Sequence, residues 1–236
     1  MDKNKLTALV TGSSRGIGAE IATKLLRDGY KVITTGTKEE GYIEGASYMQ
    51  VDFLNNESRG DFLKTLESEE INILINNAGI NKISRFTDIK LKDFNDILDV
   101  NLRTPFLVMQ SVIPKMIERE WGRIINISSI FGTISKEHRA SYSASKFGLN
   151  GLTLAASAEL SSKNILVNSV SPGFVDTELT RGILGEHGIN QLIESIPIAR
   201  LGQPAEIAEL VCWLVSEKNT FITGQNIIID GGFTNV

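Results

Sequence analysis

Leu6-Thr7-Ala8-Leu9-Val10-Thr11-Gly12-Ser13-Ser14-Arg15-Gly16-Ile17-Gly18 is the stretch whose reading decides the fold. The short apolar run from Leu6 to Val10 reads as a buried strand that ends at Thr11-Gly12. Gly12, Gly16 and Gly18 make a turn, and residues 19–26 carry helical apolar spacing. Strand, glycine turn and helix in this order form a cradle for a pyrophosphate. Glycine allows the tight turn and lets an anion approach the backbone. The free N–H groups and positive dipole end of the helix then attract it. A plain strand-to-helix turn is the competing reading, and three glycines between positions 12 and 18 tell against it. The spacing is Gly-x-x-x-Gly-x-Gly, not the more familiar Gly-x-Gly-x-x-Gly.

Further strands are expected at Lys31–Thr35, Ala46–Val51, Ile71–Ile75, Gly122–Ser129, Ile165–Val170 and Asn226–Gly232. Helices are expected at 56–66, 94–100, 106–117 (after a kink or new start at Pro105) and 141–160. The segment between the second and third strands is short and contains Gly41 and Gly45, so a full crossover helix does not fit there. Alternating strands and helices over the whole length predict an α/β fold. It is a Rossmann-type, doubly wound, parallel seven-stranded sheet with helices on both faces. No repeat, low-complexity tract or linker divides the chain, so residues 1–236 read as one dinucleotide-binding and catalytic domain. Residues 174–200 have weak periodicity, several glycines and Pro197, and read as a substrate lid.

Composition narrows the function. The chain has 236 residues, 42% of them hydrophobic, enough for a sizeable core. Its net charge is −4 with scattered basic residues, which excludes a nucleic-acid face. Cys212 is the one cysteine, so no intrachain disulfide forms, and it reads as a core thiol on a helix. Met1-Asp2-Lys3-Asn4-Lys5 lacks the apolar core of a signal peptide, and no run approaches the roughly 18 apolar residues of a membrane span. No membrane partner and a cytoplasmic location are therefore expected. His138 and His187 sit in no ligand-spaced cluster, so no metal site is expected.

The chemistry gathers between Ser129 and Lys146. On a helix, Tyr142 and Lys146 share one face through their i, i+4 spacing. A neighbouring ammonium favours phenolate and lowers the tyrosine pKa, making it a usable proton donor and acceptor. That spacing alone is common on exposed helices, and Ser128-Ser129 alone could be a turn after a strand. At the end of the second strand, Gly36-Thr37-Lys38 offers a hydroxyl and a cation where an acid would select NAD. NADP(H) preference is expected, although Glu39 and Glu40 follow. Asp52, just past the third strand, reads by itself as a turn or capping residue.

Taken in order, the glycine loop, Asn76-Asn77-Ala78-Gly79, Asn101, Ser129, Tyr142, Lys146 and Pro172-Gly173 resemble the short-chain dehydrogenase/reductase family across essentially the whole chain. The resemblance implies hydride transfer between a nicotinamide and a carbonyl or secondary alcohol. It assigns Ser129 to orient the substrate oxygen, Tyr142 to exchange its proton, and Lys146 to hold the nicotinamide ribose and lower the Tyr142 pKa. Asn101 widens its helix and holds a relay water. Cofactor contacts are implied for Gly12, Ser14, Arg15, Gly16, Ile17, Gly18, Thr37, Lys38, Asp52, Asn77, Ala78, Gly79, Tyr142, Lys146, Pro172, Gly173 and Thr177. Arg15 reaches the region of the 2′-phosphate, and Asp52 the adenine amino group.

Within the family, Arg200-Leu201-Gly202-Gln203-Pro204 and Ile222-Thr223-Gly224-Gln225 are similar to motifs of bacterial 3-oxoacyl-acyl-carrier-protein reductases. This implies a 3-oxoacyl thioester substrate, with an acyl-carrier protein as a candidate partner. Glu118-Arg119-Glu120 is acidic where such a carrier would prefer basic residues, leaving Arg123 and Lys163 available. Lys136-Glu137-His138-Arg139 reads as a solvated loop, or else as the rim for a polar substrate such as a sugar derivative. A non-catalytic NADP(H) sensor or scaffold is the reading from another class. Such proteins usually lose the tyrosine or lysine, and both are present here. The resemblance also implies a homotetramer or homodimer packed through the helices at 106–117 and 141–160. Leu149, Leu152 and Leu154 suit that face or an ordinary core.

Overall fold

In this computed structural model residues 3–39 and 43–235 are described; Glu40 and Gly41 of the second crossover lie outside them. Strand β1 (Thr7–Val10) shows why the sheet is covered on both sides. Ala8 and Val10 enter one apolar cluster and Leu9 the other, and none of the three is exposed. β4 (Ile73–Asn76) repeats the pattern, with Ile73 and Ile75 on one side and Leu74 on the other. Strand side chains alternate in direction, so a strand apolar at every position needs a cover on each face. Burying each such Ile or Leu contributes about 1.5–3 kcal/mol.

The seven strands are all parallel, in the order β3-β2-β1-β4-β5-β6-β7. The others are β2 (Lys31–Gly36), β3 (Ser47–Gln50), β5 (Gly122–Ile127), β6 (Ile165–Pro172) and β7 (Asn226–Ile229). Helices α1 (Gly16–Arg27) and α7 (Pro204–Val215) supply Ile21, Leu25, Ile207 and Val211 to the first face. α2 (Asn56–Ser68), α4 (Thr104–Glu118) and α5 (Ala140–Leu160) supply Phe62, Val108, Met116 and Leu160 to the second. Strand order reverses between β1 and β4, which opens a crevice at their carboxyl ends.

A buried polar ladder crosses the sheet. Asn76 Nδ2 donates to Asn126 Oδ1 (2.9 Å), and Asn126 Nδ2 donates to Thr153 Oγ1 (2.9 Å). The Thr153 and Ser169 hydroxyls lie 2.7 Å apart. β4 and β5 are thereby pinned near their carboxyl ends to α5 and β6.

Several expectations are refined. Helix α3 (Leu91–Leu98), a π turn at Asp99–Arg103 and α4 follow without a break. The Thr104 N–H bonds to the Asp99 carbonyl five residues back. Pro105, which has no N–H to offer, therefore sits in the first turn of α4 instead of kinking a helix. The segment read as a weakly periodic lid is largely helix α6 (Glu178–Glu194), interrupted at Gly185 (φ 61°), which hides its period. Cys212 is buried on α7, and burial pushes its thiol up to about 12. Leu149 joins the core, whereas Leu154 is exposed.

Arg123 corrects an expectation outright. It is 3% exposed, stacks on Trp121, and donates to the carbonyls of Gly122, Asn164 and Asn219, so it offers no docking charge. Lys163 is exposed. Among the described residues no helix is long and apolar enough to cross a membrane.

Candidate active site

A cleft of about 620 Å³ runs along the carboxyl ends of β1, β4, β5 and β6. At one end the glycine loop is clamped from both sides. Thr11 Oγ1 accepts from the Asn77 and Ala78 N–H groups (3.0 and 3.1 Å). Asn77 Nδ2 donates back to the Thr11 and Gly12 carbonyls (3.0 and 2.9 Å). On the β2 side, Ser13 Oγ accepts from Thr35 N–H and Thr35 Oγ1 accepts from Gly12 N–H, both at 3.0 Å. Gly12 has φ +63°, and a Cβ there would lie 2.7 Å from Ala78 Cα. At Gly18 a Cβ would lie 2.4 Å from Asn77 Nδ2. Arg15, at the N-cap of α1, makes no side-chain capping bond, which leaves the first-turn N–H groups for an anion. This cradle fits a dinucleotide pyrophosphate.

Every nucleotide-contact residue expected from the sequence lines this cleft except Lys38. Lys38 sits exposed beyond Thr37, where its carbonyl accepts from Tyr48 Oη (2.6 Å). Asp52 lines the cleft and also closes its own turn by accepting from Leu54 N–H (2.9 Å). Thr177 caps α6, its Oγ1 accepting from Thr180 N–H. Arg15 faces Glu178 of α6 at 3.6 Å, joining the glycine loop to the lid helix.

At the other end, Ser129 follows β5. Its hydroxyl accepts from Phe131 N–H (3.2 Å) and hydrogen-bonds the Tyr142 phenol. Tyr142 and Lys146 stand one turn apart on α5, as their spacing predicts. Lys146 Nζ donates to the Ile127 carbonyl (2.8 Å) and lies 5.6 Å from the Tyr142 ring centroid. The electrostatics differ from the expected lowering of the tyrosine. Burial favours the neutral form of both groups, pushing the phenol up and the ammonium down to about 8. What draws the phenol back is the Ser129 hydrogen bond and then the charge of Arg139.

Asn101 does not line the cleft. It lies in the π turn, fully buried. Its Oδ1 accepts from Ile80 N–H (2.8 Å), and its Nδ2 donates to the Ile80 carbonyl (2.9 Å) and to Ser145 Oγ (3.1 Å). The amide thus braces the chain beyond Gly79 against α5.

Two cleft residues escaped the sequence reading, and a third was given only within an alternative substrate rim. Phe131 and Phe174 form an aromatic wall beside Tyr142, with centroids 6.4 Å (Tyr142–Phe131) and 6.2 Å (Phe131–Phe174) apart. They come from distant segments, and no local pattern joins them. Arg139 is the third. Lys136, Glu137 and His138 are exposed as a solvated loop should be, but Arg139 is only 8% exposed and lines the cleft. The backbone takes a left-handed φ of 65° at His138, which turns the next residue inward.

The family model described as enoyl-(acyl carrier protein) reductase matches residues 12–234. The chain is 40% identical over 238 residues to the 3-oxoacyl-[acyl-carrier-protein] reductase FabG of Aquifex aeolicus, covering 95% of this chain and 96% of that protein. It is 36% identical to the acetoacetyl-CoA reductase of Cupriavidus necator, with the same coverage. Among solved structures, the gluconate 5-dehydrogenase of Burkholderia cenocepacia, in complex with NADP and tartrate, has a TM-score of 0.91 at 29% identity. The likeness covers 100% of this chain and 98% of that one. Likeness of this reach, together with the sheet order and the clamped glycine loop, means that the chain belongs to the short-chain dehydrogenase/reductase family and is a nicotinamide-dependent oxidoreductase acting on CH–OH and C=O groups.

Proposed function

We propose that the chain reduces 3-oxoacyl thioesters with NADPH, through Ser129, Tyr142 and Lys146. The observation that carries this reading is the meeting of these three side chains at one end of a cleft whose other end is the glycine cradle. The bound nicotinamide supplies a hydride to the carbonyl carbon. Ser129 holds the carbonyl oxygen, and Tyr142 Oη gives that oxygen a proton, so C=O becomes CH–OH. Burial holds the Tyr142 pKa above its ordinary value, so near neutral pH the phenol is protonated and ready to donate, which suits a reductase. Lys146 contributes N–H donors to the nicotinamide ribose. Asn101 acts by bracing α5 and the Gly79–Ile80 segment.

NADP(H) preference is supported by the absence of an acid at Gly36-Thr37, where β2 ends, and by Arg15 at the cleft mouth. The thioester assignment is supported by the two relatives, both reductases of 3-oxo thioesters by name. The chain works as one domain, with residues 174–200 closing over the cleft. Phe106, Phe147 and Leu154, exposed on α4 and α5, suit a homodimer or homotetramer. An acidic carrier protein would find Lys163 and not Arg123.

A second reading, a dehydrogenase of polar substrates such as sugar derivatives, is favoured by Arg139 in the cleft wall and by the likeness to the gluconate 5-dehydrogenase. NADPH oxidation should be followed with acetoacetyl-CoA and with a panel of keto sugars. Thioester turnover that is more efficient with NADPH than with NADH is the expected result. Absence of thioester turnover overturns the substrate, and equal or better efficiency with NADH overturns the cofactor preference.

A further inference from the structure

Arg139 is a cleft-lining cation, 8% exposed, with no protein anion opposite it. Among the described residues its guanidinium makes no hydrogen bond and no ion pair; its one contact of this kind is the Phe131 ring, 5.3 Å from the guanidinium carbon. A stacked ring replaces only part of the hydration that a charge loses on burial. Glu137, the nearest acid in sequence, is directed to His138 at 3.9 Å with an exposed side chain. Of the other acids on the cleft, Glu178 faces Arg15 and Asp52 closes its own turn, both at the nucleotide end.

The position of Arg139 makes the imbalance larger. It is the N-cap of α5, a 21-residue helix, and makes no side-chain capping bond there. A helix start carries unpaired N–H groups and a positive dipole end, which repel a guanidinium and attract an anion. Lys136 adds a second cation, 6.0 Å from the Phe131 centroid and 5.9 Å from that of Phe174. Phe131 also stacks on Tyr142. One aromatic ring therefore lies against both the proton donor and the unpaired guanidinium.

We propose that Arg139, backed by Lys136, is the anion-holding end of the substrate site, and that the best carbonyl substrates carry a carboxylate a few carbons from the reacting C=O. This rests on Tyr142 as the proton donor, and not on the thioester assignment. The planar guanidinium matches a carboxylate with two parallel hydrogen bonds. Tyr142 and Arg139 touch the same Phe131 ring, so oxo acids with a short chain between the two groups fit best.

Levulinate and levulinamide share one carbon skeleton and differ in charge. With NADPH saturating, wild-type kcat/KM should favour levulinate by about tenfold or more, the range of a charge-assisted pair. In Arg139→Gln that ratio should fall toward one, and in Arg139→Lys it should be intermediate. A role of Arg139 in packing alone would lower both rates and leave the ratio where it was. A wild-type preference for the amide, an unchanged ratio in Arg139→Gln, or no turnover of any oxo acid overturns the proposal. Should Arg139→Gln fail to fold, inhibition of the wild type decides. Glutarate should compete with the carbonyl substrate at least tenfold more tightly than glutaramide, and equal inhibition overturns the proposal. Acetoacetyl-CoA assayed in parallel separates the two readings, because its failure removes the thioester assignment without moving the acid-to-amide ratio.

Discussion

At the nucleotide end of the cleft, backbone makes the surface and side chains work behind it. Thr11, Ser13, Thr35 and Asn77 all turn their polar atoms onto main-chain groups of the glycine loop and its neighbours. At the substrate end the surface is side chain. Ser129, Phe131, Arg139, Tyr142 and Phe174 come from the end of β5, the loop after it, α5 and the segment after β6. A backbone surface suits a ligand that does not change, since no single substitution alters its donors. A side-chain surface can be changed one residue at a time, so relatives of one fold can act on thioesters and on sugar acids.

Tyr142→Phe tests the substrate end with the largest expected effect. It removes one oxygen and should lower kcat by about 10²–10⁴, the usual contribution of a positioned proton donor. NADPH affinity, read by fluorescence titration, should stay near the wild-type value, because that end is built separately. Near-normal turnover would mean another group delivers the proton.

Gly12→Ala tests the nucleotide end. Left-handed φ costs a side chain about 1–2 kcal/mol. The new Cβ also meets Ala78 Cα at 2.7 Å, a backbone atom that yields only with β4. A loss of about 2–4 kcal/mol in unfolding free energy follows, with a lower denaturant midpoint and weaker NADPH binding. An unchanged midpoint would show that the clamp is softer than its hydrogen bonds suggest.

The smallest effect is one of pH, and it divides activity from stability. Burial depresses Lys146 from 10.5 to about 8. Above pH 8 the folded enzyme loses the ammonium, so kcat/KM should fall toward tenfold per unit. Stability moves the other way. Between about 8 and 10.5 the unfolded chain binds the extra proton, so the lysine's share of unfolding free energy rises with pH. Comparing denaturant midpoints with Lys146→Met across that range isolates this share. An activity profile flat to pH 10 would remove Lys146 as the titrating group.

The same contrast governs what could be read from the sequence. The glycine loop, the alternation of strands and helices and the Tyr142–Lys146 pair are local signals: spacing, periodicity and a helical turn carry them. Arg139 stood in a charged run that reads as a solvated loop or as a substrate rim, and the backbone turn at His138 precedes its entry into the cleft wall. Arg123 was misplaced too, since the carbonyls that hold it belong to residues 122, 164 and 219. Helix α6 lost its period to Gly185. Long-range partners settle the case of Arg123, and single left-handed backbone positions settle those of Arg139 and α6.

The ladder Asn76–Asn126–Thr153–Ser169 has a consequence for how the chain folds. Its members are spread over more than ninety positions, and each finds its partner only when a different element docks. An intermediate holding β4, β5 and α5 but lacking β6 would keep the Thr153 bonds to Asn126 and to the Leu149 carbonyl but forgo the one to Ser169, at about 0.5–1.5 kcal/mol. Such partial assemblies are penalised, whereas an all-apolar centre would tolerate them. The ladder therefore acts as a cooperativity device. Amide hydrogens in β4, β5 and β6 should exchange with a single shared opening free energy, and Thr153→Val should split that unit into faster and slower parts.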